Sequence, residues 1–357
     1  MRSFKIFFLA CSILQLVYFE GCKSSPTEKD DTKYYSYYEG IQIPNTEIFV
    51  SMDKYDGIAA RPVVSPDGNY MIFYKNYTSR DSFGLYIKTI STGTERLLVK
   101  DGYHPDWSPD GEWIAFNIEK HIYKIRKNGE DLTRLTFSTM YSGYSGSEYD
   151  VDWSPDNLFI AFSYAIDYRS NLLSGIYKLK IDSQLVGENA KQYLFNAGDP
   201  DWHPNRTNII GIHGYSSSSI WNRFPIYNIQ LNQVDYILDG TLNEDNGNPH
   251  YSPDGKRVVY INDKGIWIMN SDGSAVKRIL PNDLSADRFP DYKGGIKLMV
   301  GSASWYPDGQ SLIYTNFKVT RYTVIKQPTT GPNVNVEGFM SFYKVNVDSA
   351  ISISNLP

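Results

Sequence analysis

The sequence predicts an all-β fold: a six-bladed β-propeller of four-stranded antiparallel blades, its ring closed by an N-terminal strand. Three observations predict it. A short segment, clearest as His104-Pro105-Asp106-Trp107-Ser108-Pro109-Asp110-Gly111, returns in degraded form around Pro66, Pro155, Pro204, Pro253 and Pro307. The copies are roughly 40–55 residues apart, the period of one propeller blade. Aromatic residues make up 15% of the chain, with 29 tyrosines, and aromatic side chains pack well on a pleated surface.

The chain begins with Arg2 and Lys5, then an apolar run over 6–19. That run is short for a bilayer span and suits the core of an export signal. Phe19-Glu20-Gly21-Cys22 follows and resembles a bacterial lipoprotein signal, in which a small residue precedes the cysteine to be lipidated. Gly21 and Cys22 fit; Phe19 and Glu20 depart from the pattern. A plain secretory signal with an incidental cysteine is the alternative. Residues 1–22 are therefore read as the signal, 23–45 as a polar, tyrosine-rich tether, and 46–357 as the propeller. Beyond Cys11 and Cys22 the chain has no cysteine, so the body has neither disulfides nor thiolate metal sites.

Each part of the repeat has a physical task. In Ser-Pro-Asp-Gly, proline presets φ near −65° and glycine supplies the positive φ that closes the turn. The third copy places Asn157 at the glycine position, where asparagine is the next best residue. The fourth places Arg206 there, which predicts a strained turn. Before the turn, Trp107, Trp153, Trp202 and Trp305 share one register, as inter-blade packing requires. Apolar strands follow, such as Trp113–Phe116 and Val258–Ile261, then third strands such as Ile122–Arg126 and Ile266–Met269. Fourth strands are visible for five blades only. Thr46–Val50 resembles them and is expected to supply the sixth, removing an open edge; Ile351–Ser354 is the competing candidate.

Repeats of the form x-P-x-W-S-P-D-G-x-x-I-A-F, as in Pro105 to Phe116, resemble the TolB-type WD-like propeller repeats of bacterial envelope proteins. The resemblance covers nearly all of 46–357. It implies the propeller and an envelope setting, periplasmic or at the outer membrane. It does not imply a function, because one propeller hosts many.

Strand order places the Ser-Pro-Asp-Gly turns on one face. The strand two-to-three loops and the blade connectors fall on the other, where the connections are longer, including 76–83, 164–174, 214–224 and 317–340. Long loops on a rigid scaffold are where binding usually lives. Tyr141, Tyr144, Tyr168, Tyr215, Trp221 and Phe224 fall there and are candidate partner contacts. Local packing of those rings is the plainer reading. Near the axis on this same face, alternation points Arg61, His104, Asp106, Asp150, Asp152, Asp199, Asp201 and His250 into the channel mouth. Carboxylate with imidazole suits a divalent cation. The structural alternative has these aspartates bonding backbone amides of the neighbouring blade.

The sequence contains no G-x-S-x-G, H-E-x-x-H, P-loop or G-x-G-x-x-G motif. A net charge of −5 gives no footprint for nucleic acid. His121 and His213 fall on strands and read as packed. The sequence therefore predicts a monomeric, exported, lipid-anchored binding or scaffold protein without a cofactor, contacting another envelope protein or a glycan. The alternative is a metal-dependent polysaccharide lyase or hydrolase, its site at the channel mouth.

Overall fold

The structure is a computed structural model. It describes residues 33–36, 46–50, 57–77, 83–137, 146–166, 174–182, 191–213, 224–237, 246–262, 264–281, 302–325 and 333–354. Of these, 33–36, 46–50, 57–58, 77, 166, 213, 281, 316–325, 333–340 and 351–354 are described by backbone alone. The segment expected to be the signal, Cys22 included, lies outside the described residues, as does most of the segment expected to be a tether.

Two strands precede the ring, β1 (Lys33–Ser36) and β2 (Thr46–Val50). Blade one holds β3 (Gly57–Val64), β4 (Tyr70–Tyr77), β5 (Gly84–Thr89) and β6 (Glu95–Lys100). Blade two holds β7 (Gly102–Trp107), β8 (Trp113–Ile118), β9 (His121–Arg126) and the short β10 (Thr133–Arg134). Blade three holds β11 (Gly146–Trp153), β12 (Phe159–Ile166), β13 (Gly175–Lys180) and β14 (Lys191–Phe195). Blade four holds β15 (Ala197–Trp202), β16 (Asn208–His213), β17 (Phe224–Asn228) and β18 (Gln233–Ile237). Blade five holds β19 (Gly247–Tyr251), β20 (Arg257–Asn262), β21 (Gly265–Asn270) and β22 (Lys277–Pro281). Blade six is built from β23 (Ala303–Trp305), β24 (Ser311–Ile325), β25 (Asn333–Asn346) and β2. Within every blade, paired neighbours run antiparallel.

The ring thus closes through β2, whose Thr46–Val50 pairs with Phe342–Val345 of β25. The competing closing segment is helical: Ile351–Ser354 ends α1 (Val347–Ser354). Val347 and Ala350 of α1 are buried in the core between blades five and six.

The cores lie between blades. Each repeat tryptophan packs against the preceding blade: Trp107 with Ile72 and Leu85, Trp153 with Ala115 and Ile122, Trp202 with Ala161 and Ile176, Trp305 with Val259 and Ile266. The register of the four tryptophans is therefore a packing register. Trp107 Nε1 also donates to Val63 O (3.2 Å) and Trp305 Nε1 to His250 O (3.0 Å), each on the preceding blade.

The turns are more organised than proline and glycine alone require. In blade two Ser108 Oγ donates to Asp110 Oδ1 (2.6 Å) and accepts from Trp113 N (2.9 Å), while Glu112 N donates to Asp110 Oδ1 (3.0 Å). The same network recurs at Ser65 and Asp67, Ser154 and Asp156, and Ser252 and Asp254. Serine and aspartate satisfy the turn's amides, which is why both recur. Gly68, Gly111, Gly255 and Gly309 adopt φ of 73°, 68°, 71° and 65° at the closing position. Asn157 (65°) and Arg206 (67°) take the same conformation; arginine there carries the steric cost that glycine avoids.

One expectation is overturned. The stretch 317–340 is not a loop through most of its length: β24 continues to Ile325 and β25 begins at Asn333, in register from Ser311↔Asn346 to Ile325↔Asn333. Alternating, β-branched sequence such as Val319, Thr323, Val334 and Val336 supports strand here. The pair forms an arm beyond blade six on the long-loop face, and β1 adds to it, from Lys33↔Val324 to Ser36↔Arg321.

Candidate axial site

The innermost strands carry a repeated irregularity. In blades one to five the pairing with the second strand slips at one place: between Ala60 and Val63, Tyr103 and Asp106, Tyr149 and Val151, Gly198 and Asp201, and Gly247 and His250. At that slip Arg61, His104, Asp150, Asp199 and Asn248 all adopt left-handed φ, from 47° to 53°. Proline follows in four of these copies (Pro62, Pro105, Pro200, Pro249), so the bulge leaves no amide there to pair. Simple alternation did not foresee the bulge. The residues it predicted still meet at the axis, in two layers.

The layer nearer the long-loop face holds Arg61, His104, Asp150, Asp199, Asn248 and Ser302. Arg61 Nη1 lies 3.0 Å from Asp150 Oδ1 and 4.0 Å from Asp199 Oδ1. It reaches from blade one to blades three and four, across the axis. Asp199 Oδ2 accepts from Asn248 N (3.0 Å) and Asn248 Nδ2 (2.9 Å). Asp199 N donates to Ser163 Oγ (2.8 Å), and Arg61 N donates to Ser302 Oγ (3.0 Å). His104 Nδ1 accepts from Asp150 N at 3.4 Å and lies 3.3 Å from Asp150 Oδ1. Burial, with Arg61 nearby, lowers the His104 pKa to about 4, so the ring is neutral at pH 7. Burial and the neighbouring Asp150 raise Asp199 to about 6.

The second layer ties blades together. Asp106 Oδ2 accepts from Trp153 N (2.7 Å), Asp152 Oδ2 from Trp202 N (2.6 Å), and Asp201 Oδ2 from Tyr251 N (2.8 Å). Each aspartate thus reaches the next blade's backbone. Ser304 Oγ donates to Pro62 O, spanning blades six and one (2.5 Å). Asp201 Oδ1 also meets His250 Nδ1 at 2.9 Å. Burial pushes Asp106 up to about 7, with Asp201 adding repulsion. Burial and the charges of Asp201 and Asp106 hold Asp152 well above the ordinary carboxylate range. Burial works to lower His250, but its bond to Asp201 outweighs this and the pKa is raised.

All eight predicted channel residues therefore converge, and the structure assigns them work. The aspartates of the second layer bond backbone amides of the adjacent blade, as the structural alternative held. A resident divalent cation does not fit the donor set. The Arg61 guanidinium sits between Asp150 and Asp199, the carboxylates a metal would use, and a second positive charge there is opposed by Coulomb repulsion. Among the described residues no group of three or more histidine, cysteine, aspartate or glutamate side chains is placed to hold a metal.

Of the predicted partner contacts, Tyr141, Tyr144, Tyr168, Tyr215 and Trp221 lie outside the described residues. Phe224 is a correction: it is 1% exposed and packs edge-on against Tyr260, ring centroids 5.2 Å apart. As the first residue of β17 it points into the core between blades four and five, unavailable to a partner. His203 bonds Gly255 O (3.0 Å) on the turn side. The side chain of His213 is outside the described set.

The sequence reading missed a second polar cluster, between blades two and three. Glu148, fully buried, accepts from Thr136 Oγ1 and pairs with the buried Lys191. His121 Nδ1 lies 3.6 Å from Glu148 Oε2. A glutamate inside an inner strand was the available signal. A groove of about 600 Å³ on the outer rim between the same blades includes Trp113, Leu132 and Phe137. Lys124 and Arg126 already stand over the Trp113 ring at 4.5 and 4.3 Å.

No protein-family model matches the chain. An uncharacterized protein of Agrobacterium fabrum is 38% identical over 85 residues, 21% of this chain and 27% of the relative; the chain thus spans about a quarter of that curated relative. Among solved structures, an oligogalacturonate lyase in complex with manganese superposes with a TM-score of 0.55 at 10% identity, over 88% of this chain and 96% of the other. An oligogalacturonate lyase of Vibrio parahaemolyticus gives 0.52 at 11%, over 88% and 97%. A protein assigned as TolB from Agrobacterium tumefaciens gives 0.49 at 18%, over 72% and 89%. At these identities the likeness is one of fold. The likeness in fold agrees with the six-bladed β-propeller that the six sheets build.

Proposed function

We propose that this chain is an exported, lipid-anchored β-propeller that acts without catalysis, holding another envelope component against its long-loop face. The observation that carries the reading is the state of the axial residues. Arg61, Asp106, Asp150, Asp152, Asp199 and Asp201 are engaged in bonds that close the ring or neutralise its axis. A substrate would have to displace those bonds, at a cost of order 1–3 kcal/mol for each buried group left unsatisfied. Export and anchoring rest on the apolar run over 6–19 and on Gly21-Cys22. Among the described residues no helix is long and apolar enough to cross a membrane.

A photo-crosslinker placed at Lys120, in the strand two-to-three loop of blade two, should capture a specific envelope protein or glycan in the native envelope. One placed at Ser91, on the turn face, should not. Equal labelling from both positions overturns the proposal.

The second reading is a metal-dependent polysaccharide lyase or hydrolase. It is favoured by the likeness in fold to oligogalacturonate lyases over 88% of the chain, and opposed by the guanidinium between the axial carboxylates. Stoichiometric divalent metal in the purified chain, lost in Asp150→Ala, would establish it over the first.

A further inference from the structure

The register of β1 fixes a direction. β24 runs outward from blade six to Ile325, and β1 pairs antiparallel to it, with Lys33 opposite Val324 and Ser36 opposite Arg321. The chain therefore arrives at the tip of the arm and runs back toward the ring. Only residues 23–32 separate Cys22 from this point.

From these observations we infer that the long-loop face of the propeller is turned toward the bilayer that carries the anchor, with the arm of β24, β25 and β1 standing between them. The inference rests on the reading of Cys22 as the lipidated residue. Reach decides it. From Thr315, the last residue of β24 level with the blade, to Ile325 the arm extends about 33 Å at ~3.3 Å per residue. The link from Cys22 to Lys33 reaches at most about 40 Å fully extended. With the long-loop face toward the lipid, the arm tip is the part of the body nearest the membrane and the link is ample. With the turn face toward the lipid, Lys33 would stand above both the blade, about 20 Å tall, and the arm, roughly 53 Å from the surface. The link cannot span that.

Charge agrees. The chain as a whole carries −5. The strands of the arm and their connection hold Lys33, Lys318, Arg321 and Lys326 against Glu337, and with Lys23, Glu28, Lys29, Asp30 and Asp31 of the link the balance stays basic, a charge suited to anionic headgroups. The channel mouth and the long loops then face a gap about one arm deep. A partner for that face is one seated at the surface of the same bilayer.

The test uses the full acylated chain on vesicles containing an anionic lipid and a headgroup acceptor dye. A donor dye is placed at Lys120→Cys on the long-loop face or at Ser91→Cys on the turn face, both exposed. Transfer should be roughly twofold or more stronger from position 120, because the two positions are about one blade height apart along the axis. Equal or reversed transfer from a chain held through Cys22 overturns the inference and leaves the anchor standing. A chain that binds vesicles equally well as Cys22→Ser overturns the anchor and this inference with it. The register is checked without lipid: Tyr35→Cys should form a disulfide with Tyr322→Cys, its partner across the strands, and not with Val336→Cys, one strand further away. Failure of the first pair, or success of the second, also overturns the inference.

Discussion

Titrating the axial cluster should make this protein more stable in mild acid than in mild base. Asp106 and Asp199 have folded pKa values of about 7 and about 6, above the ordinary carboxylate value of 3.8. The folded state therefore binds more protons than the unfolded state between those limits, and stability falls as pH rises through them. From pH 5 to pH 8 the loss is roughly 3 kcal/mol for Asp106 and roughly 1 kcal/mol for Asp199. His104 opposes this. Its pKa is lowered from 6.5 to about 4, so the unfolded state binds more protons below pH 6.5, and stability rises by roughly 2 kcal/mol over the same span. The balance is a loss of roughly 2 kcal/mol toward pH 8. Asp152, raised well above the ordinary range, and His250, also raised, both add to the loss. The turn aspartates do not enter. In Asp67 and Asp110 burial works against ionisation but the serine bonds outweigh it, and in Asp254 the bond from Ser252 leads; all three are lowered below 3.8 and titrate under pH 5. The assay is calorimetric Tm at fixed ionic strength from pH 5 to 8, on wild type and on Asp106→Asn, which keeps an acceptor for Trp153 N. Wild type should lose a few degrees toward pH 8, and the variant should lose much less. A wild-type Tm that is flat or rises from pH 5 to 8 refutes the argument.

Three further outcomes are expected. Arg61→Ala leaves Asp150 and Asp199 facing each other without their cation, and should cost on the order of 3 kcal/mol in urea denaturation at pH 7, with the penalty shrinking at pH 5 as Asp199 protonates. Arg206→Gly relieves a left-handed residue in the blade-four turn and should raise stability by about 1 kcal/mol; a loss would mean that the arginine side chain contributes more than its backbone costs. Phe224→Ala empties a position between blades four and five and should destabilise by about 3–5 kcal/mol, while labelling of the long-loop face by a partner is preserved in the fraction that folds.

Much of the fold was legible because it is local. Proline, aspartate and glycine at fixed offsets specify a turn wherever they occur, and a tryptophan four residues before the turn's closing position lands in the same inter-blade slot each time, even where Asn157 or Arg206 replaces the glycine. The likeness of Thr46–Val50 to the outer strands was enough to find the strand that closes the ring. The axial set was also legible, since the inner strands place the same offset at the axis in every blade.

The sequence by itself thus determined the number of blades, their order, and which side chains gather at the axis. Tertiary structure alone decided what those side chains do. Arg61 is some ninety residues from Asp150 in sequence and 3.0 Å away in space; only the closed ring sets the guanidinium between two carboxylates and makes the site its own counter-ion. The left-handed bulge that turns Arg61, His104, Asp150, Asp199 and Asn248 inward is only weakly marked in sequence: histidine, aspartate and asparagine tolerate left-handed φ and proline follows in four of the five copies, but only pairing with the neighbouring strand fixes where the register slips. The arm was hidden for the same reason. Whether 317–340 is loop or strand depends on a distant partner, and it is the pairing of Lys33–Ser36 across nearly the whole length of the chain that shows from which side the N-terminus comes.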